Sequence, residues 1–134
     1  MRLQVIIFFL FTGLLSFASV LKVGPDLQIT SIRSAIEKAK NGDVIEVYPG
    51  TYTEGPIEVE KSIHLKGIDR PVIDGQMEHS ILTISADSVS ITGFRLINVG
   101  RSYTEDKSGI RMIRCKYFLI EDNILENTFF GIYL

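Results

Sequence analysis

Short apolar alternations in this 134-residue chain return at long, related intervals. Laying VSITGFRLINV over FLIEDNILENT sets Ile91 on Ile120, Leu96 on Leu125 and Asn98 on Asn127, every match at i and i+29. Ile81 and Ile110 are related in the same way, whereas Ile132 follows Ile110 at i+22. The seven extra residues fall in one polar stretch, GRSYTEDKSG, so the shorter interval is the basic unit and a loop is inserted between Gly100 and Gly109. A looser earlier copy sets Leu65 under Ile91 and Gly67 under Gly93, at i+26. Units of this length made of strands describe coils of a solenoid, in which each strand hydrogen-bonds its counterpart about 4.8 Å away. The expected fold is all-β, a right-handed parallel β-helix.

The local patterns agree with that period. DVIEVYPG, GPIEVE, SIHLKGI, RPVIDG, SILTISAD and VSITGFRLINVG are each a few alternating apolar residues closed by turn formers, the signature of short strands. Only SIRSAIEKAKNGD has a helical period, with Ile32, Ala35, Ile36 and Ala39 at i, i+3, i+4 and i+7. Thr30 or Ser31 can cap its start and Gly42 sits where a left-handed residue can end it. An exposed coil end leaves apolar interior and strand edges uncovered, so this helix is expected to lie across the opening as a lid. At the other end FFGIYL stops in mid-coil. The expectation is the N-terminal part of a longer solenoid, or one that a partner completes; the alternative is a complete miniature. Asn98 and Asn127 occupy equivalent bends and are expected to stack as an amide ladder, with Asn123, below Phe94, a second amide without a counterpart.

The segment 1–18 reads as a secretory signal: Arg2, an apolar run from Val5 to Leu15, then Ser16 and Ala18 as small residues before a cleavage point after Ala18. The alternative, an uncleaved anchor, has an apolar run shorter than the roughly 20 residues that a span requires. The domain organisation is then a signal peptide at 1–18 and a β-helix over 19–134. A lone cysteine, Cys115, cannot form an internal disulfide, so an exported chain of this kind depends on packing. A formal net charge of -2 offers no basic field and argues against nucleic acid as a partner.

The segments PGTYTEGPIEV, KGIDRPVIDG and NILENTFFGIYL, in this order and with SVSITGFRLINVG and SGIRM between the last two, closely resemble the N-terminal half of the NosD family. That resemblance implies a non-catalytic periplasmic β-helix. It would act with the membrane component of an ABC transporter, and with a copper chaperone and nitrous oxide reductase, in assembling the copper sites of that reductase. The entry helix followed by GDVIEVYPGTYTE also resembles pectin methylesterases. Their Gln and paired Asp have no match here: KSGIRM and FFGIYL stand at the two places where they should occur. A polysaccharide lyase would need clustered acids, but Glu46, Glu58, Asp69, Asp74, Asp87, Glu121 and Asp122 fall on scattered coils and read as solvated positions. The class alternative is a carbohydrate-acting β-helix: lyase, esterase or sugar-binding module.

Copper as a transient cofactor directs attention to sulfur and imidazole. Met77 and His79, two apart in an extended segment, can project the same way and form the candidate metal pair. Met112 reads as core filler, Cys115 as a buried thiol and His64 as a surface-facing strand residue. Neither His64 nor His79 has a Ser and an acid at a spacing that suggests a catalytic triad. No catalytic residue is assigned.

Overall fold

The structure, a computed structural model, describes residues 17–134. Most of the expected leader, 1–16, lies outside the described residues. Among the described residues the chain forms thirteen short strands and one helix: β1 (Val20–Val23), α1 (Ile32–Lys38), β2 (Val44–Val47), β3 (Thr51–Tyr52), β4 (Ile57–Val59), β5 (His64–Gly67), β6 (Val72–Asp74), β7 (Leu82–Ile84), β8 (Ser90–Thr92), β9 (Arg95–Ile97), β10 (Ser108–Met112), β11 (Leu119–Glu121), β12 (Ile124–Glu126) and β13 (Phe130–Tyr133). They assemble into three parallel sheets ordered β1-β2-β5-β8-β11, β3-β6-β9-β12 and β4-β7-β10-β13. Each consecutive trio from β2 onward is one coil. The chain is a parallel β-helix.

In-register pairing turns the alternation into interior columns. Leu21, Ile45, Leu65, Ile91 and Ile120 stack through the first sheet, and Tyr52, Ile73, Leu96 and Leu125 through the second. The third contributes Ile57, Leu82, Ile110 and Ile132. Side chains between them point outward, as the period of two requires. The expected matches of Ile91 with Ile120, Leu96 with Leu125 and Ile110 with Ile132 are the observed registers. One expected match is off by a residue: Ile110 pairs with Leu82, not Ile81. Both Ile81 and Leu82 are buried, but Ile81 lies in the bend before β7, where its N–H donates to the Ser108 carbonyl. Two adjacent aliphatics that both face inward conceal the register from sequence alone.

The helix is held on the first coil at both ends. Ser31 is its N-cap, accepting from the Ser34 N–H, and Glu54 accepts from the Ser31 hydroxyl at 2.5 Å and the Ile32 and Arg33 N–H groups at 2.8 and 3.0 Å. At the other end the Lys61 ammonium donates to the carbonyls of Ile36, Glu37 and Ala39, each at 2.8 Å. A carboxylate at the N-terminus and a cation at the C-terminus also complement the helix dipole. Ile32, Ala35, Ile36 and Ala39 are buried over the core, each isoleucine contributing about 1.5–3 kcal/mol. The expected ending differs. The C-cap is Ala39, in extended backbone, and Gly42 (φ +91°) turns the chain three residues later into β2. The preceding strand β1 adjoins the expected apolar leader and is not separable from it in the sequence.

Bends carry the strain of each coil. Asn98 (φ 56°) and Asn127 (φ 53°) take the left-handed conformation that Asn tolerates. The Asn127 amide donates to Asn98 Oδ1 at 2.8 Å, and the Asn98 amide to Asp74 Oδ1 at 3.1 Å, so the expected ladder has a carboxylate as its first rung. Asn123 instead serves backbone, accepting from the Phe94 N–H and donating to the Ile91 carbonyl. Gly67 and Gly93 stack where the chain leaves the first sheet. A Cβ on either would lie 2.5 Å from the other's carbonyl oxygen, and Gly93 has φ +80°.

Two outcomes check this geometry. Gly93→Ala should destabilise the protein by about 2–4 kcal/mol in urea titration; a change under about 0.5 kcal/mol would mean the coils are not in this contact. Ten residues link Ile97 to Ser108 but only three link Glu126 to Phe130. Deleting Arg101–Lys107 should therefore preserve the β-type circular dichroism and cooperative melting; loss of folding would refute the register.

Candidate functional surface

The insertions gather on one corner, where the chain passes from the second sheet to the third. On successive coils this corner holds Glu54, the 75–81 turn with Met77 and His79, the 98–107 loop, and Phe129. Gln76 and Met77 both have positive φ, and the turn is closed by Gly75, whose carbonyl accepts from the Glu78 and His79 N–H groups. The next coil holds it in place: the Met77 N–H donates to the Asn98 carbonyl, the Gly100 N–H to the His79 carbonyl, and the Lys107 ammonium to the Glu78 carbonyl.

The structure brings Met77 and His79 onto this corner but directs them apart. Met77 is 44% exposed, and its sulfur accepts from Asn127 Nδ2 at 3.2 Å, toward the later coils. The His79 ring faces Gly55 on the preceding coil, 3.8 Å from where a Cβ would sit, with Nε2 3.4 Å from Glu78 Oε2. Met112 is buried in the third sheet, and Cys115 packs half-buried against the core. His64 faces outward from the first sheet, its Nδ1 2.8 Å from Ser90 Oγ one coil on. That His–Ser contact was hidden by the length of chain between the two residues. Neither hydrogen bonds nor ion pairs join an acid to it among the described residues. The same residues contain no group of three or more His, Cys, Asp and Glu arranged to hold a metal ion.

Beside the turn, the inserted loop forms a cleft of about 410 Å³ with Arg101, Tyr103, Glu105, Lys107 and Phe129 among its lining. Ser102 Oγ accepts from the Thr104 and Glu105 N–H groups and sets the loop's curve. Tyr103 is fully exposed. Phe129 is 75% exposed because it precedes Phe130, whose register partner is the buried Ser108, so Phe129 points outward. Tyr103 escapes sequence reading because it lies in no recognisable motif, the seven-residue insertion being the signal that could have found it, whereas Phe129 belongs to the FFGIYL segment that the sequence leaves uncovered.

The seven acids expected to be solvated are all partly or fully exposed. Asp43, unremarked in the sequence, is the buried one, at 5% exposure. Its Oδ2 accepts from the Lys40 N–H at 2.8 Å and its Oδ1 from the Ser19 N–H at 2.9 Å. Those bonds, Lys40 first, hold its carboxyl below the ordinary value of 3.8. Burial, and then the charge of Glu54, push the Tyr52 phenol above its ordinary 10.0.

Against known proteins, the chain is similar to a cell surface glycoprotein of Methanothermus fervidus, 33% identical over an alignment of 121 residues that covers 88% of this chain. The chain spans about a fifth of that curated relative's length, 19%. No family model matches, and no solved structure matches. Among the described residues no helix is long and apolar enough to cross a membrane.

Two measurements follow. Since Met77 and His79 lean toward opposite ends of the axis, anaerobic Cu(I) competition against a chelator should show no tight stoichiometric binding by this chain. Tight binding that Met77→Ala, His79→Ala abolishes would place a copper site here. For Asp43, a depressed carboxyl pKa contributes stability that is complete above the unfolded value and lost as pH falls through the folded one. Asp43→Asn should flatten the acid limb of stability below about pH 4; an unchanged limb would remove Asp43 from the account.

Proposed function

We propose that this chain is a non-catalytic, extracytoplasmic β-helix that works as a docking scaffold, presenting the corner with the 98–107 loop to a partner. The observation that carries this reading is the placement of the insertions. A solenoid coil closes with three linking residues at that corner in β12–β13, yet the preceding coil spends ten there, with Tyr103 in full exposure. Many of the chemistry-bearing side chains elsewhere are engaged in holding coils together: Glu54 and Lys61 on the helix, Asp43 on backbone amides, Arg70 on Asp122, and Arg95 on Glu126. The secretory-type N-terminus supports export, and the glycoprotein relative supports a surface or extracellular location.

The resemblance to the NosD family names the partner class: the membrane component of an ABC transporter, with a copper chaperone and nitrous oxide reductase served in turn, in a periplasmic setting. Copper in this reading is cargo. Met77, exposed on the same corner, is the thioether placed to meet it transiently, with His79 beside it in the turn.

A carbohydrate-binding module is the second reading, favoured by the loop cleft itself, where two exposed aromatics stand with Arg101 and Glu105. Photocrosslinking from position 103 in cells separates the two. Capture of the transporter's membrane subunit, lost on deleting Arg101–Lys107, is the expected result. Saturable oligosaccharide binding that Tyr103→Ala abolishes, without that capture, would replace the docking role by sugar binding.

A further inference from the structure

Asp43 is a buried acid with no side-chain cation bonded to it among the described residues, an arrangement that ordinarily carries a desolvation cost. Two backbone N–H groups compensate it, and one belongs to Ser19, the first residue after the expected cleavage point. Ser19 is also where, among the described residues, the chain's engagement with the sheet begins. Its carbonyl accepts from the Val44 N–H at 2.9 Å, and β1 starts at the next residue. Phe17 and Ala18 before it are exposed, Phe17 to 81%. Among the described residues no ladder bond lies before Ser19, so a cut between Ala18 and Ser19 spares both of its contacts, whereas a cut one residue later would remove them.

We infer that Asp43 is the acceptor for the mature N-terminus, an internal carboxylate positioned to receive the α-ammonium released when a leader peptidase cuts the Ala18–Ser19 bond. This inference rests on the export reading. Hydrolysis adds one water across the amide: the carboxylate leaves on Ala18, and the amine stays on Ser19 and takes up a proton. The nitrogen already lies 2.9 Å from Asp43 Oδ1, so processing replaces an amide–carboxylate hydrogen bond by a charge-assisted ion pair between the same two atoms. Lys40, whose N–H binds the other oxygen, adds a favourable charge to the same carboxylate. Processing would thereby strengthen the β1–β2 seam at the capped end of the solenoid, favouring the folded state further once the leader is gone.

The test is a double-mutant cycle on the exported protein. Urea stability is compared between the processed chain beginning at Ser19 and one that retains Phe17 and Ala18, each with Asp43 and with Asp43→Asn. In the longer chain the Ser19 nitrogen stays an amide. The expected result is that Asp43→Asn lowers the folding equilibrium several-fold more in the processed chain than in the extended one. Equal losses in the two backgrounds would overturn the pairing. Intact mass of the exported protein supplies the independent arm: a start at Ser19 supports the inference, and a start at any other residue overturns it while leaving export standing. A chain that is never processed or exported would overturn the export reading along with it.

Discussion

Zero-shift parallel pairing between successive coils is the constraint from which the rest of this molecule follows. Each residue lies on its counterpart one coil away, so its environment is set by a residue far along the chain instead of by its sequence neighbours. Aliphatics accumulate into columns because an interior position in one coil is interior in all. Length can vary only where pairing is absent, at the bends. In the third sheet, accordingly, Ile110 follows Leu82 at i+28 and Ile132 follows Ile110 at i+22, with no disturbance of the columns.

The same constraint explains how the polar residues are used. A bend leaves backbone groups that no strand satisfies, and the neighbouring coil supplies the partner. Asn123 reaches the backbone of the coil before it, Asn98 and Asn127 bond to one another across coils, and Arg70 reaches over an entire coil to Asp122. The first coil uses Glu54 and Lys61 to fasten the helix across its open end. Several charged side chains, Glu54, Lys61, Arg70 and Asp122 among them, are thus occupied by cohesion. The corner between the second and third sheets stands apart because its insertions exceed what closure of a coil requires.

Much of the fold was legible in the sequence. The alternation, the recurrence at i+29 and i+22, and the helical spacing of Ile32, Ala35, Ile36 and Ala39 report local geometry and burial, which a linear pattern can encode. Asn at equivalent bends was readable too, since a ladder needs like residues at like positions. The sequence by itself thus determined that the chain coils, where the coils bend, which loop is extra and which face of the helix is apolar. The tertiary structure decided what depends on direction and on contacts between distant coils. It set Leu82 rather than Ile81 against Ile110, turned Met77 and His79 toward opposite ends of the axis, brought Ser90 to His64, and buried Asp43 against Ser19. The physical reason is that a one-residue shift preserves composition and spacing while reversing where a side chain points, and only hydrogen bonds between coils distinguish the two.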